Sequence, residues 1–200
     1  MSVATKKKKD AHLWARDPDD WYVEPGWTSA RLFEREQFPE PILDPACGMG
    51  RIVESAHAKG YAIEGTDLVD RASCCSRVED FLTVPSFHTY NGGGKFASIV
   101  CNPPFKHAQA FVSRALDVAT SKVAMLLPQN WFFGQERSRW LQDTPLYRIY
   151  ALTPRPSMPP GAVIAAGEKP GGGEDDFAWF VWLQGYRGEP TFNWIDRDEG

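Results

Sequence analysis

The chain has 200 residues, 42% of them hydrophobic, and a net charge of −4. That is enough apolar material for one globular domain and excludes a disordered chain, while the mild acidity argues against a protein that coats nucleic acid by bulk electrostatics. No apolar run reaches the roughly 20 residues that cross a bilayer, no apolar stretch follows the N-terminal lysines as a secretory signal would, and Cys47, Cys74, Cys75 and Cys101 form no C-x-x-C pair, so reduced thiols are expected rather than a metal site or disulfide framework.

Residues 1–20 are polar and read as a flexible basic arm closed by a turn at Asp17-Pro18-Asp19-Asp20. Its Lys6-Lys7-Lys8-Lys9 run is either a solvated terminus or a local basic path for nucleic acid. An unusually aromatic stretch, Trp21 to Thr28, follows, and Thr28 or Ser29 is expected to cap a helix running from Ala30 to Glu36. Pro41-Ile42-Leu43 reads as a short buried strand, and Arg51 to Lys59 as a helix. Between them lies Asp44-Pro45-Ala46-Cys47-Gly48-Met49-Gly50. A strand, a glycine turn and a helix N-terminus form a ligand cradle, because glycine backbone approaches a ligand closely and the first helical N–H groups lack partners.

Tyr61 to Asp67 reads as the next strand, ending in an acid. An acid at that place in a nucleotide-binding α/β unit accepts hydrogen bonds from ribose hydroxyls; turn formation is the alternative. Strand alternation puts Glu64 and Asp67 on opposite faces. Asn91 to Gly94 is a loop, and Phe96 to Cys101 is a strand that delivers Asn102-Pro103-Pro104-Phe105. Lys106 to Ala119 has helical apolar spacing (Ala110, Phe111, Ala115, Leu116, Ala119). Val123 to Leu127 is a fully buried strand, Gln135 to Leu141 a helix, and Tyr147 to Leu152 and Phe177 to Leu183 are further strands. Residues 155–176 form the longest loop, expected on the substrate side. Alternating strands and helices give a single α/β domain over residues 21–200.

Asp44-Pro45-Ala46-Cys47-Gly48-Met49-Gly50 and Asn102-Pro103-Pro104-Phe105 match, in that order, a D-P-x-C-G-x-G and an (N/D/S)-P-P-(Y/F/W) signature. The chain thereby resembles the S-adenosylmethionine-dependent amino-methyltransferases, above all the adenine-N6 methylases of DNA. The resemblance implies a Rossmann-like class I methyltransferase fold with a seven-stranded, mostly parallel sheet, its last strand antiparallel and helices on both faces. It implies S-adenosyl-L-methionine as cofactor and S-adenosyl-L-homocysteine as product. The cofactor residues it implies are Asp44, Pro45, Ala46, Cys47, Gly48 and Gly50, then Asp67 with Leu68, and Asn102 at the methyl end. It adds Asp80 and Phe81 for the adenine ring, with plain core packing the alternative for Phe81, and Tyr22, Glu24, Pro25 and Thr28 from a segment that matches only loosely. Met49 replaces a more usual small polar residue.

The implied chemistry has a physical reason. The exocyclic amine of adenine is a poor nucleophile because its lone pair is delocalised into the ring. The Asn102 side-chain oxygen and the Pro103 carbonyl can accept the two amine protons and aim the lone pair at the methyl group. Pro103 and Pro104 fix the backbone. Phe105 offers a flat face to a base flipped from the duplex. Cys101 precedes Asn102 instead of following a proline, as the nucleophile of cytosine-carbon methylases does, and reads as a core residue.

Lys106 and His107 could meet a phosphate, Arg155 and Ser157 suit phosphate or base-edge contacts, and Trp131 could stack on a flanking base or sit in the core. The chain is similar to compact single-domain enzymes of bacteria and phages. That resemblance implies a cytoplasmic location, DNA as the expected partner, no membrane, and specificity that is relaxed or supplied by a homodimer or other partner, since no room exists for a separate target-recognition domain. RNA adenine and a protein glutamine amide pose the same lone-pair problem and remain alternatives, as does a non-catalytic binding module.

Overall fold

The computed structural model describes residues 17, 20–85 and 94–198. The Lys6–Lys9 run and residues 91–93 of the glycine loop lie outside the described residues. The backbone is organised by two strands with apolar residues on both faces, β5 (Lys122–Pro128) and β7 (Phe177–Leu183). Both are buried along nearly their whole length, and such strands must sit in the middle of a sheet covered on both sides. Around them are β1 (Ile42–Asp44), β2 (Ile63–Asp67), β3 (Cys75–Val78), β4 (Ser98–Cys101), β6 (Leu146–Thr153) and β8 (Thr191–Asp196).

The sheet order is β3-β2-β1-β4-β5-β7-β6-β8. All neighbouring pairs are parallel except those of β7, which is antiparallel to both β5 and β6. Alternation divides the core. Val123, Met125 and Leu127 of β5 and Phe180 and Trp182 of β7 face one layer with Phe111, Ala115 and Leu141. Ala124, Leu126, Trp179 and Val181 face the other with Leu32, Phe33, Ile52 and Ala56. The first layer is built on helices α3 (Ala108–Val118) and α4 (Gln135–Gln142), the second on α1 (Gly26–Arg35) and α2 (Arg51–Ala58).

Two sequence expectations are corrected. Among the described residues the sheet has eight strands, not seven: Phe177–Leu183, the last strand expected from the sequence, is antiparallel to both neighbours, and an unexpected strand, β8, follows it and runs parallel to β6 at the sheet edge. Ile195 of β8 is buried, whereas Phe192 and Trp194 are exposed, so the strand carries too little apolar signal on its inner face to announce itself. Strand β3 is an edge strand of alternating half-buried and exposed residues, without an apolar run. Helix α1 starts at Gly26, with Pro25 as its cap residue, and Thr28 lies inside the first turn, its hydroxyl donating to the Pro25 carbonyl at 2.9 Å.

Strands β1, β2 and β4 end at the same edge of the sheet and deliver Asp44, Asp67 and Asn102 there. The 155–176 loop contains a short helix, α5 (Gly161–Ala165), and is closed by an ion pair between Arg155 and Asp176 at 2.7 Å.

Candidate active site

A cavity of about 450 Å³ opens at the C-terminal ends of β1, β2 and β4. Ligands of open α/β sheets bind there, and the volume suits a nucleoside-sized molecule. Its floor is the Asp44–Met49 turn. Gly50 takes φ +80°, a left-handed conformation that favours glycine, and starts α2. Gly48, at φ +50°, packs against the Trp21 indole: a Cβ there would lie 3.2 Å from Trp21 Nε1. The Gly48 N–H donates to Asp67 Oδ2 at 2.8 Å. Asp67 Oδ1 accepts from the Val69 N–H at 3.1 Å and from Arg71 at 2.9 Å. The Arg71 guanidinium in turn lies 4.5 Å over the Trp21 ring.

Asn102 stands at the opposite wall. Its Nδ2 donates to Glu24 Oε2 at 2.8 Å and to the Tyr22 carbonyl at 3.1 Å. Both partners are acceptors, so the amide orientation is determined. Its Oδ1 is buried and has no hydrogen-bond partner among the described residues. An orphaned buried acceptor in a cavity wall is costly unless a ligand donor meets it.

The cavity is acidic. Glu24, Asp44, Asp67 and Asp80 all line it. Burial pushes the Glu24 carboxyl above the ordinary range. Burial, and then the charges of Glu24 and Asp67, push Asp44 well above it. A cationic ligand relieves that repulsion, which fits a sulfonium that also carries an ammonium group. Cys101 sits against Asp44 at the end of β4; burial and the Asp44 charge push its thiol well up, which leaves it a protonated core residue rather than a nucleophile.

Of the residues the sequence assigns to the cofactor, Tyr22, Glu24, Asp44, Pro45, Ala46, Cys47, Gly48, Asp67, Leu68, Asp80, Phe81 and Asn102 line this cavity. Pro25, Thr28 and Gly50 are outside its lining. The Thr28 carbonyl instead accepts the Trp179 Nε1–H at 3.0 Å, because α1 packs that turn onto the sheet. Phe81 also packs on Phe111, with ring centroids 5.1 Å apart, as its core alternative expects.

Of the target-side residues, Pro104, Lys106 and His107 line the cavity. Pro103 is buried. The Phe105 ring stacks on Tyr22, with centroids 5.7 Å apart and planes 13° from parallel, and lies 5.6 Å from Phe177. Trp131 is in the core against Phe180 and Trp140. Arg155 is exposed and paired with Asp176, and Ser157 is half-buried; neither lines the cavity.

Sequence reasoning missed Asp20, Trp21 and Arg71. Asp20, buried and at φ +59°, accepts the Lys106 N–H at 2.8 Å. Trp21 bridges two segments: its ring fills the space where Gly48 and Gly161 lack side chains. The aromatic run around Trp21 was the available signal, but its long-range partners are glycines, which leave no hydrophobic pattern.

No protein-family model matches this sequence, and no curated protein is similar to it in sequence. Solved structures are similar in fold. A Listeria monocytogenes protein described as a class I S-adenosylmethionine-dependent methyltransferase superposes with a TM-score of 0.57 at 13% identity, over 87% of this chain and 65% of that one. An Agrobacterium tumefaciens protein described as a predicted O-methyltransferase gives 0.54 at 12% identity, over 87% of this chain and 89% of that one. A structure of a type I R-M system gives 0.52 at 17% identity, over 91% of this chain and 46% of that one. This chain therefore spans about two thirds of the first and less than half of the third. The strand order, the antiparallel β7 and these superpositions agree: the chain has the Rossmann-like fold of the class I S-adenosylmethionine-dependent methyltransferases.

Proposed function

We propose that this chain is an S-adenosylmethionine-dependent methyltransferase acting on an exocyclic amine, and that the amine is N6 of adenine in DNA. The observation that carries the proposal is the Asn102 amide. Its two N–H groups are spent on Glu24 and Tyr22, and its buried Oδ1 is left as an acceptor only. A nucleophile that meets it must bring an N–H or O–H, and the Pro103 carbonyl beside it supplies the second acceptor that an NH₂ group needs. The Asn102-Pro103-Pro104-Phe105 motif, which resembles that of the adenine-N6 methylases of DNA, is what favours DNA over the other acceptors.

The cofactor would supply an electrophilic methyl group on a sulfonium. Asp67 would hold the ribose hydroxyls, Asp80 the adenine edge, and the acidic wall of Glu24 and Asp44 the cationic end. Asn102 and Pro103 would accept the amine protons, draw the nitrogen towards tetrahedral geometry and direct its lone pair in line with the methyl. The amine would take the methyl group, keep one proton and release the other to solvent; the chemistry the cofactor would supply is a methyl group given up with the bonding pair left on its sulfur. Base flipping is required, because N6 inside a duplex cannot reach a recessed Asn102.

The test incubates the protein with methyl-labelled S-adenosylmethionine and, separately, unmethylated DNA, RNA and a cell protein extract. The expected product is N6-methyladenine from DNA, abolished by Asn102→Ala with cofactor binding retained. Label confined to RNA or protein moves the substrate, and full activity of Asn102→Ala overturns the mechanism.

A further inference from the structure

We propose that Glu24 is a positioning residue for Asn102: a buried carboxylate, delivered by the Asp20–Glu24 segment, that fixes the catalytic amide with its oxygen turned to the nucleophile. The inference rests on the reading of Asn102 as the acceptor for the amine.

A primary amide presents an oxygen and a nitrogen of nearly equal size, so a half-turn exchanges acceptor for donor unless its partners discriminate. Turned round, Asn102 would offer N–H donors to the incoming amine and hold its own oxygen against the lone pairs of Glu24 Oε2 and the Tyr22 carbonyl. In the observed orientation both of those acceptors are satisfied, at 2.8 and 3.1 Å. A bond to a carboxylate is stronger than a bond to a neutral acceptor. It also polarises the amide and raises the negative charge on Oδ1, the atom that must accept.

The remaining question is how a residue 78 positions away in sequence is kept in place. The segment carrying Glu24 is anchored from two other parts of the chain. The Lys106 N–H, just after the Asn102–Phe105 motif, donates to Asp20 Oδ2 at 2.8 Å. The Val23 N–H donates to the Pro159 carbonyl at 3.0 Å, and the Gly161 N–H donates to the Trp21 carbonyl at 2.8 Å. Glu24 itself is 6% exposed, so water does not compete for the bond. Asp20 accepts a left-handed backbone, uncommon for a residue with a side chain, to make its anchor.

The test uses the full chain and two variants. Glu24→Gln can still present an oxygen to Asn102 Nδ2, whereas Glu24→Met keeps the buried volume without any acceptor. The first readout needs no methyl acceptor: hydrogen exchange of the Asn102 side-chain NH₂ in a ¹⁵N spectrum, the signal identified by its loss in Asn102→Ala. Slow exchange is expected in the wild type and in Glu24→Gln, with exchange at least about tenfold faster in Glu24→Met. Rapid exchange in the wild type, or equal exchange in the wild type and Glu24→Met, overturns the proposal.

The second readout is kinetic, on whichever acceptor the wild type labels. For Glu24→Met, kcat at saturating cofactor is expected to fall roughly 10- to 100-fold; Glu24→Gln, which loses the charge of the acidic wall but keeps an acceptor for Asn102, should hold kcat close to the wild type even where cofactor affinity falls. A fall in kcat as large in Glu24→Gln as in Glu24→Met would assign the effect to the lost charge and overturn the positioning role. Because the exchange readout involves no substrate, it stands or falls separately from the assignment of adenine as the acceptor.

Discussion

Gly48 and Asp67 are joined by a bond from the backbone N–H of one to the carboxylate of the other, at 2.8 Å. It ties the turn after β1 to the end of β2, so the carboxylate proposed for the ribose also holds the glycine turn that would lie under the cofactor. The same carboxylate keeps Arg71 beneath its cation–π contact with Trp21. Asp67→Ala is therefore expected to lose both cofactor affinity and turn geometry. Affinity for S-adenosylmethionine by calorimetry should fall at least about tenfold, with a lowered Tm in the absence of ligand. Asp67→Asn, which keeps an oxygen for Gly48, should retain the Tm better than the affinity. Unchanged affinity in Asp67→Ala would remove the residue from the site.

Binding of a cationic cofactor should release protons. Burial holds Glu24 above the ordinary carboxylate range, and burial with the Glu24 and Asp67 charges holds Asp44 well above it. Hydrogen bonds from the backbone and from Asn102, and then the Arg51 charge, oppose this at Glu24; the Ala46 N–H and then the Cys101 thiol oppose it at Asp44. A positive ligand favours the ionised forms. Affinity should therefore rise with pH through the raised pKa values and level off above them. Calorimetry in buffers of different ionisation enthalpy measures the released protons directly, and Asp44→Asn should reduce their number. Affinity that falls as pH rises would contradict the acidic-wall assignment.

Gly161 has no room for a side chain, since a Cβ would overlap the Trp21 ring. Gly161→Ala must displace Trp21 or the segment that carries it. Overpacking of this kind costs about 1–3 kcal/mol, to be read as a lower urea midpoint. Because Trp21 also packs on Gly48, cofactor affinity should fall as well, although Gly161 is 111 residues beyond Gly50. A substitution at Gly172, where the backbone is not left-handed and no atom lies within 4 Å of the missing Cβ, is the control and should leave affinity unchanged.

The contrast between these residues shows how much of the molecule can be read from its sequence. Asp44, Gly48 and Asn102 are legible because they follow apolar strands, and strand ends place residues at one edge of the sheet by topology alone. The central strands β5 and β7 are legible because burial on both faces leaves an unbroken apolar run. Strands β3 and β8 are not, because edge strands expose one face and need few apolar residues. The Glu24–Asn102 bond is equally hidden: it joins segments 78 residues apart, and an isolated acid before a proline carries no sign of its distant partner. The sequence reads Phe105 as a flat face for a target ring; its stacking on Tyr22 is a long-range contact that the motif does not announce.

Far from the cavity, Glu36 sets the acid stability of the fold. It is buried after α1, and its carboxylate accepts from Lys122 at 2.7 Å, from Arg148 at 2.8 Å and from the Tyr150 hydroxyl at 2.7 Å. Burial alone would raise its pKa, but the bonds from Lys122, Tyr150 and Arg148 outweigh burial and hold it below the ordinary value. A depressed carboxylate adds stability that is fully present above the unfolded pKa of about 4.3 and is lost as pH falls through the folded value. Glu24 and Asp44, being raised, act in the opposite sense, so the wild-type curve alone does not isolate Glu36. The difference between wild type and Glu36→Gln does. At neutral pH the variant leaves Lys122, whose side chain is 11% exposed, without its counter-charge, a loss of about 3–5 kcal/mol. Below the ordinary carboxylate range the two proteins should converge, because the wild type has then protonated the same group. Tm measured from neutral pH to about pH 3 checks this: a gap that stays constant across the range would mean that the Glu36 charge contributes nothing, and that the cluster is held by packing alone.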